Sequence, residues 1–435
     1  MRVQGLARWT MAYVAAAYVS FLLGQAVLLT GKTFPMAGLS SPWTLAAVHL
    51  FTIGWLTLLM LGALGQFLPV ITASAPRGHG FYLAGLFLMA GGLLAMEIGF
   101  LTLERGTLWL PLGGSAVLLG VLLDLAALLP LLFHARPLPF AARFVAAALG
   151  GLLVTLAMGI SLALGLTRPE IYAHATLGQL FTAGLVAHLA AGVGAWFTLT
   201  AMGVSYKLLA MFSLAPEDRG ALGKAVLGLT AGGFGLALLG SLLPLLTGWR
   251  VPWLTWGGWA AAGLGGLFYL VDMVLLFRQR KRRNLELNSV FAGWALMAFG
   301  VSGVALLAAS LDPGLVPAAL YLYLLGWLSG LGLSQLYKIV PFLTWVERYG
   351  RQLGRGPVPR VQDLVDEGRA RPWFVLYFVA VFLAAIFLTA GAGAGFLLGQ
   401  AVALLASAMI GREIWRSRYG APAVEHGERR VMVHG

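Results

Sequence analysis

Apolar runs long enough to cross a hydrocarbon layer of roughly 30 Å recur about twelve times along this 435-residue chain, and nothing else in it limits the fold so tightly. They fall near 9–30, 43–71, 81–103, 109–133, 140–165, 179–212, 222–247, 253–277, 288–310, 315–345, 373–392 and 394–415. A bilayer offers the backbone no hydrogen-bond partners, so each run is expected to form a helix that satisfies its own amides. The expected fold class is an all-α polytopic membrane protein whose main partner is the lipid bilayer. Composition agrees: 60% of the residues are hydrophobic, 10% are charged and the mean hydropathy is +0.86, whereas soluble globules are about half apolar and a quarter charged.

The net charge of +13 would suggest a nucleic-acid partner if it were clustered, but it is spread over alternate loops. Arg2 and Arg8, Arg77, Arg136 and Arg143, Lys207 to Lys224, Arg278 to Arg283, Arg348 to Arg360 and Arg412 to Arg418 fall on one side of the expected topology. Lys32, Arg105, Arg168 and Arg250 fall on the other. By the positive-inside rule both termini are cytoplasmic, an even number of spans is required, and the charge reports topology in a bacterial-type inner (cytoplasmic) membrane, with no nucleic-acid partner. The first apolar run is full length with no cleavage site after it, so it is expected to serve as its own insertion signal. With no cysteine in the chain, any metal or haem must be held by histidine, methionine, carboxylate or backbone.

A motif recurs three times within these runs. It reads His49, Gly54-Trp55-Leu56-Thr57, Gln66, Pro69; then His188, Ala195-Trp196-Phe197-Thr198, Tyr206-Lys207, Ala210; then Tyr321, Gly326-Trp327-Leu328-Ser329, Tyr337-Lys338, Pro341. Each tryptophan stands fourteen residues before the proline position, and the copies lie 141 and 131 residues apart. One structural unit used three times is the simplest reading. It predicts a single transmembrane domain over 1–419, built as pseudo-repeated blocks of four helices (1–135, 136–285 and 286–419) with the motif on the second helix of each. A polar cytoplasmic tail follows over 420–435. The tryptophans are expected to pack, and Lys207 and Lys338 to reach for headgroups or water. The charged stretch 348–373 is expected to form a surface loop with one amphipathic helix on the membrane.

Two copies carry a histidine near the same end. At 1.5 Å per residue, His49 stands about 25 Å before Gln66 and His188 about 28 Å before Lys207, which places both imidazoles near the outer edge of the hydrocarbon. Two imidazoles at one depth could ligate a shared b-type haem iron or hold copper; the plainer alternative is that each is hydrogen-bonded within the bundle. His174 is expected in the external loop or at a helix entry, and His79, His134, His426 and His434 in solvated positions. Glu97, Asp124 and Asp272 interrupt apolar spans, where an ionisable group costs at least ~2.5 kcal/mol, so each is expected to have a partner. Asp124 and Asp272 occupy corresponding helices and suit a repeated structural role. Glu97, toward the depth of the histidines, and Tyr321, which replaces the histidine in the third copy, are the candidates for a proton or ligand role.

Twelve helices, a threefold repeat and a histidine in the second span resemble subunit I of the haem–copper oxidase and nitric oxide reductase superfamily. The likeness in sequence rests on Val48-His49-Leu50, Gly54-Trp55 and Ala187-His188-Leu189. The resemblance implies that His49 is a ligand to a low-spin haem, and that His188 matches by helix the family's sixth-span copper ligand. Departures are equally specific. Tyr321-Leu322-Tyr323-Leu324 offers no histidine where the family's tenth span supplies two, residues 222–247 contain none where the seventh span supplies a pair, and Thr389 to Phe396 carries no arginine for the haem propionates. A conventional terminal oxidase with a binuclear centre is therefore not expected. The expected function is a membrane-embedded haem-binding protein in electron transfer, sensing or handling of a diatomic gas such as nitric oxide, with haem or copper between His49 and His188 and a periplasmic cytochrome or copper protein as partner. An ion or small-solute transporter using the intramembrane carboxylates, and a non-catalytic assembly or copper-handling partner of a respiratory-chain complex, are the alternatives.

Overall fold

The computed structural model describes residues 3–34, 36–75, 78–105, 107–172, 183–249, 251–355 and 357–420. Most of the tail and His174 lie outside them. The described residues contain no strand, and twelve helices among them are long and apolar enough to span a membrane. These are α1 (Arg8–Leu28), α2 (Pro42–Ile71), α3 (Gly80–Leu101), α4 (Trp109–His134), α5 (Phe140–Thr167), α6 (Ala183–Ser213), α7 (Gly220–Pro244), α8 (Pro252–Arg278), α9 (Leu287–Ala308), α10 (Pro313–Arg348), α11 (Glu367–Thr389) and α12 (Gly393–Tyr419). The protein is an all-α multi-pass membrane protein.

Its surface has the polarity a bilayer demands. Phe87, Leu94, Val304 and Leu307 face outward, while Gln25, Gln400, Ser407, Asp124 and Asp272 are buried, the reverse of a water-soluble globule. Trp249, Trp253 and Trp256 project outward around the start of α8, where indole rings suit the boundary between hydrocarbon and headgroups.

The chain packs as two compact units, one comprising Met1–Ala47 with Leu285–Gly435 and the other Val48–Asn284. In the second unit, α3 with α4 and α7 with α8 form close hairpins. Glycine permits the approach: a Cβ on Gly92 would lie 2.7 Å from the Gly113 carbonyl oxygen, and one on Gly233 would lie 2.6 Å from that of Gly258. Both are well inside van der Waals contact, so small residues set these helix separations. In the first unit α11 pairs with α12, and α10 packs against α9, α11 and α12.

Three features differ from expectation. Among the described residues the charged stretch before α11 forms no separate surface α-helix: after a short 3₁₀ turn at Val361–Leu364 the chain enters α11 at Glu367, its first turn capped by the Asp366 carboxylate accepting from the Arg369 amide. Lys207 and Lys338 have partners within the protein. Each meets a carboxylate 2.6 Å away, Glu217 and Glu286 respectively, a fixed counter-charge that makes a strong hydrogen bond. Finally, each copy of the repeated motif is wound as a π-helix, over Leu50–Thr57, Ala190–Thr198 and Leu322–Ser329.

Candidate functional site: a histidine pair beside two π-helical turns

The π segments explain what the motif encodes. A π turn closes i→i+5 hydrogen bonds, is rare, and occurs mostly as a single turn inside an α-helix, frequently at functional sites. Here the Trp-x-Thr/Ser ending belongs to the wide turn itself. The Thr198 hydroxyl donates to the Val193 carbonyl at 2.9 Å and the Ser329 hydroxyl to the Leu324 carbonyl at 2.8 Å, each five residues back. Trp55, Trp196 and Trp327 are completely buried, as packing residues should be.

His49 is the last α-helical residue before the first π segment, and His188 precedes the second by two residues. Their ring centres lie 6.4 Å apart with the planes inclined by 30°. Counted from the tryptophans the two histidines are out of register, at six and eight residues. A different bond sets the level. The Trp196 indole N–H donates to the Thr57 hydroxyl at 3.0 Å in a buried contact, and each of these residues stands eight positions beyond its histidine. This cross-link between α6 and α2 aligns His188 with His49 where the tryptophan spacing would offset them.

The His188 ring is fixed from α5. Its Nδ1 lies 2.8 Å from the Thr155 carbonyl oxygen, an acceptor only, so Nδ1 carries the proton and Nε2 keeps its lone pair. Gly159, one turn further along α5, leaves the space the ring needs: a Cβ there would stand 3.1 Å from Cε1 and 3.4 Å from Nδ1. His49 packs against Phe100 of α3, with ring centres 4.8 Å apart and an interplanar angle of 32°. Glu97 is three residues before Phe100, and its Oε1 is buried without a hydrogen-bond partner. Among the described residues no group of three or more histidines and carboxylates is placed to hold a metal ion.

The geometry fits one cofactor class better than another. A metal-bound imidazole nitrogen lies about 2.0–2.1 Å from its metal, so two rings must lie within a few ångströms of a shared ion, and the 6.4 Å between these ring centres is short enough for that. A bare ion of the usual four-coordinate kind needs more protein ligands than this pair. A haem would bring four nitrogen donors of its own and would ask the protein for few ligands, often stabilised by a carbonyl acceptor on the imidazole's other nitrogen. The pair, its Thr155 acceptor and the Gly159 hollow are of that kind.

The remaining sequence candidates are brought to other tasks. Tyr321 donates to Gln400 Oε1 at 2.7 Å, Gln400 Nε2 donates to Gln25 Oε1 at 3.3 Å, and Gln25 Nε2 donates to the Ser407 hydroxyl at 3.0 Å. This buried polar chain joins α10, α12 and α1, and it satisfies the phenol that replaces histidine in the third copy. Asp272 is neutralised: Arg219 pairs with its carboxylate, also donating to its backbone carbonyl at 3.1 Å, and Tyr206 donates to its other oxygen at 3.0 Å. Asp124 sits against Gly85 of α3. A partner on a neighbouring helix is what a buried carboxylate in a span requires. His134 is exposed at the end of α4, with Nδ1 2.6 Å from the Pro130 carbonyl oxygen.

Thr155, Gly159, Phe100 and the π turns were not found from sequence. The hydroxyl three positions after Gly54, Ala195 and Gly326 was the available signal, since the same residue type ends every wide turn. Compared with known protein families and with curated proteins, the sequence matches none of them.

Proposed function

We propose that this protein is a membrane-embedded haem-binding protein in which His49 and His188 would hold one b-type haem. The observation that carries this is the 6.4 Å separation of the two rings, with His188 held in the tautomer that frees Nε2. When bound, such a haem would supply one-electron redox chemistry and a metal able to bind a diatomic gas. The chain's own residues have simpler work. Thr155 orients His188, Trp196 and Thr57 hold α6 and α2 in register, and Phe100 packs on His49. Glu97, on the same helix as Phe100, is the available acid near that side of the site.

This reading supports a divergent relationship to oxidase subunit I without its oxygen- or NO-reducing binuclear centre, and a role in electron transfer, sensing or gas handling. The basic loops favour cytoplasmic termini in a bacterial-type inner membrane, which leaves the histidine end toward the periplasm and a periplasmic cytochrome or copper protein as the redox partner. A transporter that uses the intramembrane carboxylates is disfavoured because Asp272 is already neutralised by Arg219.

The test is an absorption spectrum of the detergent-solubilised protein expressed with haem available. A Soret band that shifts or disappears in both His49→Ala and His188→Ala is expected. A protein without a Soret band, or a band unchanged in both variants, overturns the haem assignment; copper retained by the wild type and lost in both variants would then favour the metal alternative.

A further inference from the structure

The third block contains a small polar hollow beside Tyr337, which stands where the second block has Tyr206. In the second block the Tyr206-Lys207 pair is fully engaged: the Tyr206 hydroxyl donates to Asp272 Oδ2 at 3.0 Å and Lys207 meets Glu217 at 2.6 Å. In the third block the same pair is Tyr337-Lys338. Lys338 again has its carboxylate, Glu286, at 2.6 Å. Tyr337, only 4% exposed, has no partner for its hydroxyl. The carboxylate on the fourth helix of this block, Glu413, is held instead by Arg369 at 2.9 Å and Arg416 at 3.0 Å.

Tyr337 lines a hollow together with Asn288, Lys338, Glu286, Gln362 and Glu367. Asn288 is 2% exposed, and neither its amide nitrogen nor its oxygen has a partner. Gln362 Nε2 donates to Glu286 Oε1 at 3.4 Å, and Glu367 Oε1 accepts from the Leu287 amide at 3.1 Å. Buried polar atoms are seldom left unbonded, and a cluster of them around one space calls for a molecule that can bond to all. The free groups include donors, on Asn288 and Tyr337, as well as an acceptor on Asn288. A metal cation satisfies acceptors only, and Lys338 already supplies the positive charge. The hollow measures about 10 Å³, the room the centre of one water molecule needs, and a water requires the two to four polar partners present here.

We propose that this hollow is a binding site for a single ordered water, which hydrogen-bonds Asn288 and Tyr337 and links them to the Lys338–Glu286 pair. The water takes the place that the Asp272 carboxylate fills in the second block. It gives the ion pair between the start of α9 and Lys338 of α10 a hydrogen-bonded connection, able to carry a proton, to a phenol inside the bundle.

Radiolytic hydroxyl labelling of the full-length protein in nanodiscs tests this, because radicals formed from a bound water modify side chains beside it that bulk solvent does not reach. Tyr206, 2% exposed and at the same motif position, is the internal control. Tyr337 is expected to be labelled several-fold faster than Tyr206, and Asn288→Leu is expected to bring its rate down to that of Tyr206. Equal rates for the two tyrosines in the wild type overturn the proposal by themselves, whether or not the variant folds. A Tyr337 rate unchanged in a folded Asn288→Leu protein also overturns it.

Discussion

Trp196 donates its indole N–H to the Thr57 hydroxyl at 3.0 Å, and because both stand eight residues beyond a histidine, this one bond sets His188 level with His49. Register between two spanning helices is otherwise set by packing of side chains that slide easily past one another. A directional, buried hydrogen bond between aligned positions fixes it.

Thr57→Val removes the acceptor while keeping the shape of the side chain. A buried indole N–H left without a partner costs about 1–3 kcal/mol, so the melting temperature is expected to fall. The absorption spectrum of the cofactor-loaded protein is expected to change as well, since the two imidazoles lose their common level. Thr52→Val on the same helix, whose hydroxyl bonds only to the Val48 carbonyl, serves as control and is expected to leave the spectrum intact. A Thr57→Val protein with wild-type spectrum and stability would remove the register argument.

Gly159→Ala places a methyl 3.1 Å from Cε1 of His188, closer than ordinary contact, so the ring must move by a few tenths of an ångström. The expected result is a folded protein with weakened axial ligation, read as a shifted Soret band or reduced haem content. Gly150→Ala, on the same helix with nothing within 4 Å of the added carbon, is expected to behave as wild type. Identical spectra for the two variants would argue that His188 does not meet the cofactor.

Breaking the buried pair on α8 should be severe and specific. Arg219→Gln leaves the Asp272 carboxylate uncompensated in the bundle, at a cost of about 3–5 kcal/mol. The double substitution Arg219→Met with Asp272→Leu removes both charges and is expected to recover most of the loss in thermal stability. If the double variant is no more stable than the single one, Asp272 has a role beyond neutralising Arg219.

Tyr321→Phe separates the third copy from the histidine site. It deletes a hydrogen bond to Gln400 and is expected to lower stability by about 1 kcal/mol while leaving haem content and spectrum unchanged. A changed spectrum would bring Tyr321 back as a ligand or proton donor.

Helix packing offers a further check. Gly92→Ala sets a methyl 2.7 Å from the Gly113 carbonyl oxygen, and such overpacking costs about 1–3 kcal/mol, whereas Gly91→Ala meets nothing within 4 Å and is expected to be neutral. Thermal denaturation of the two purified variants distinguishes them.

The sequence by itself determined the fold class, the number of spans and the positions of the histidines along them. Each of these follows from properties local to a segment: a bilayer tolerates only self-satisfied apolar helices, and distance along a helix is proportional to residue count. It also marked the three equivalent segments, since the tryptophan-to-proline spacing is visible without knowing what the motif builds. Tertiary structure decided the rest. Whether α5 would offer His188 the Thr155 carbonyl, whether Phe100 would pack on His49, and whether Lys338 would find Glu286 all depend on which helix faces lie together, and one chain's hydropathy is nearly uniform around such helices. The π turns were hidden for a related reason. A helix that closes at i→i+5 has the composition of one that closes at i→i+4, and only the folded backbone reveals the wide turns that begin within two residues of His49 and His188.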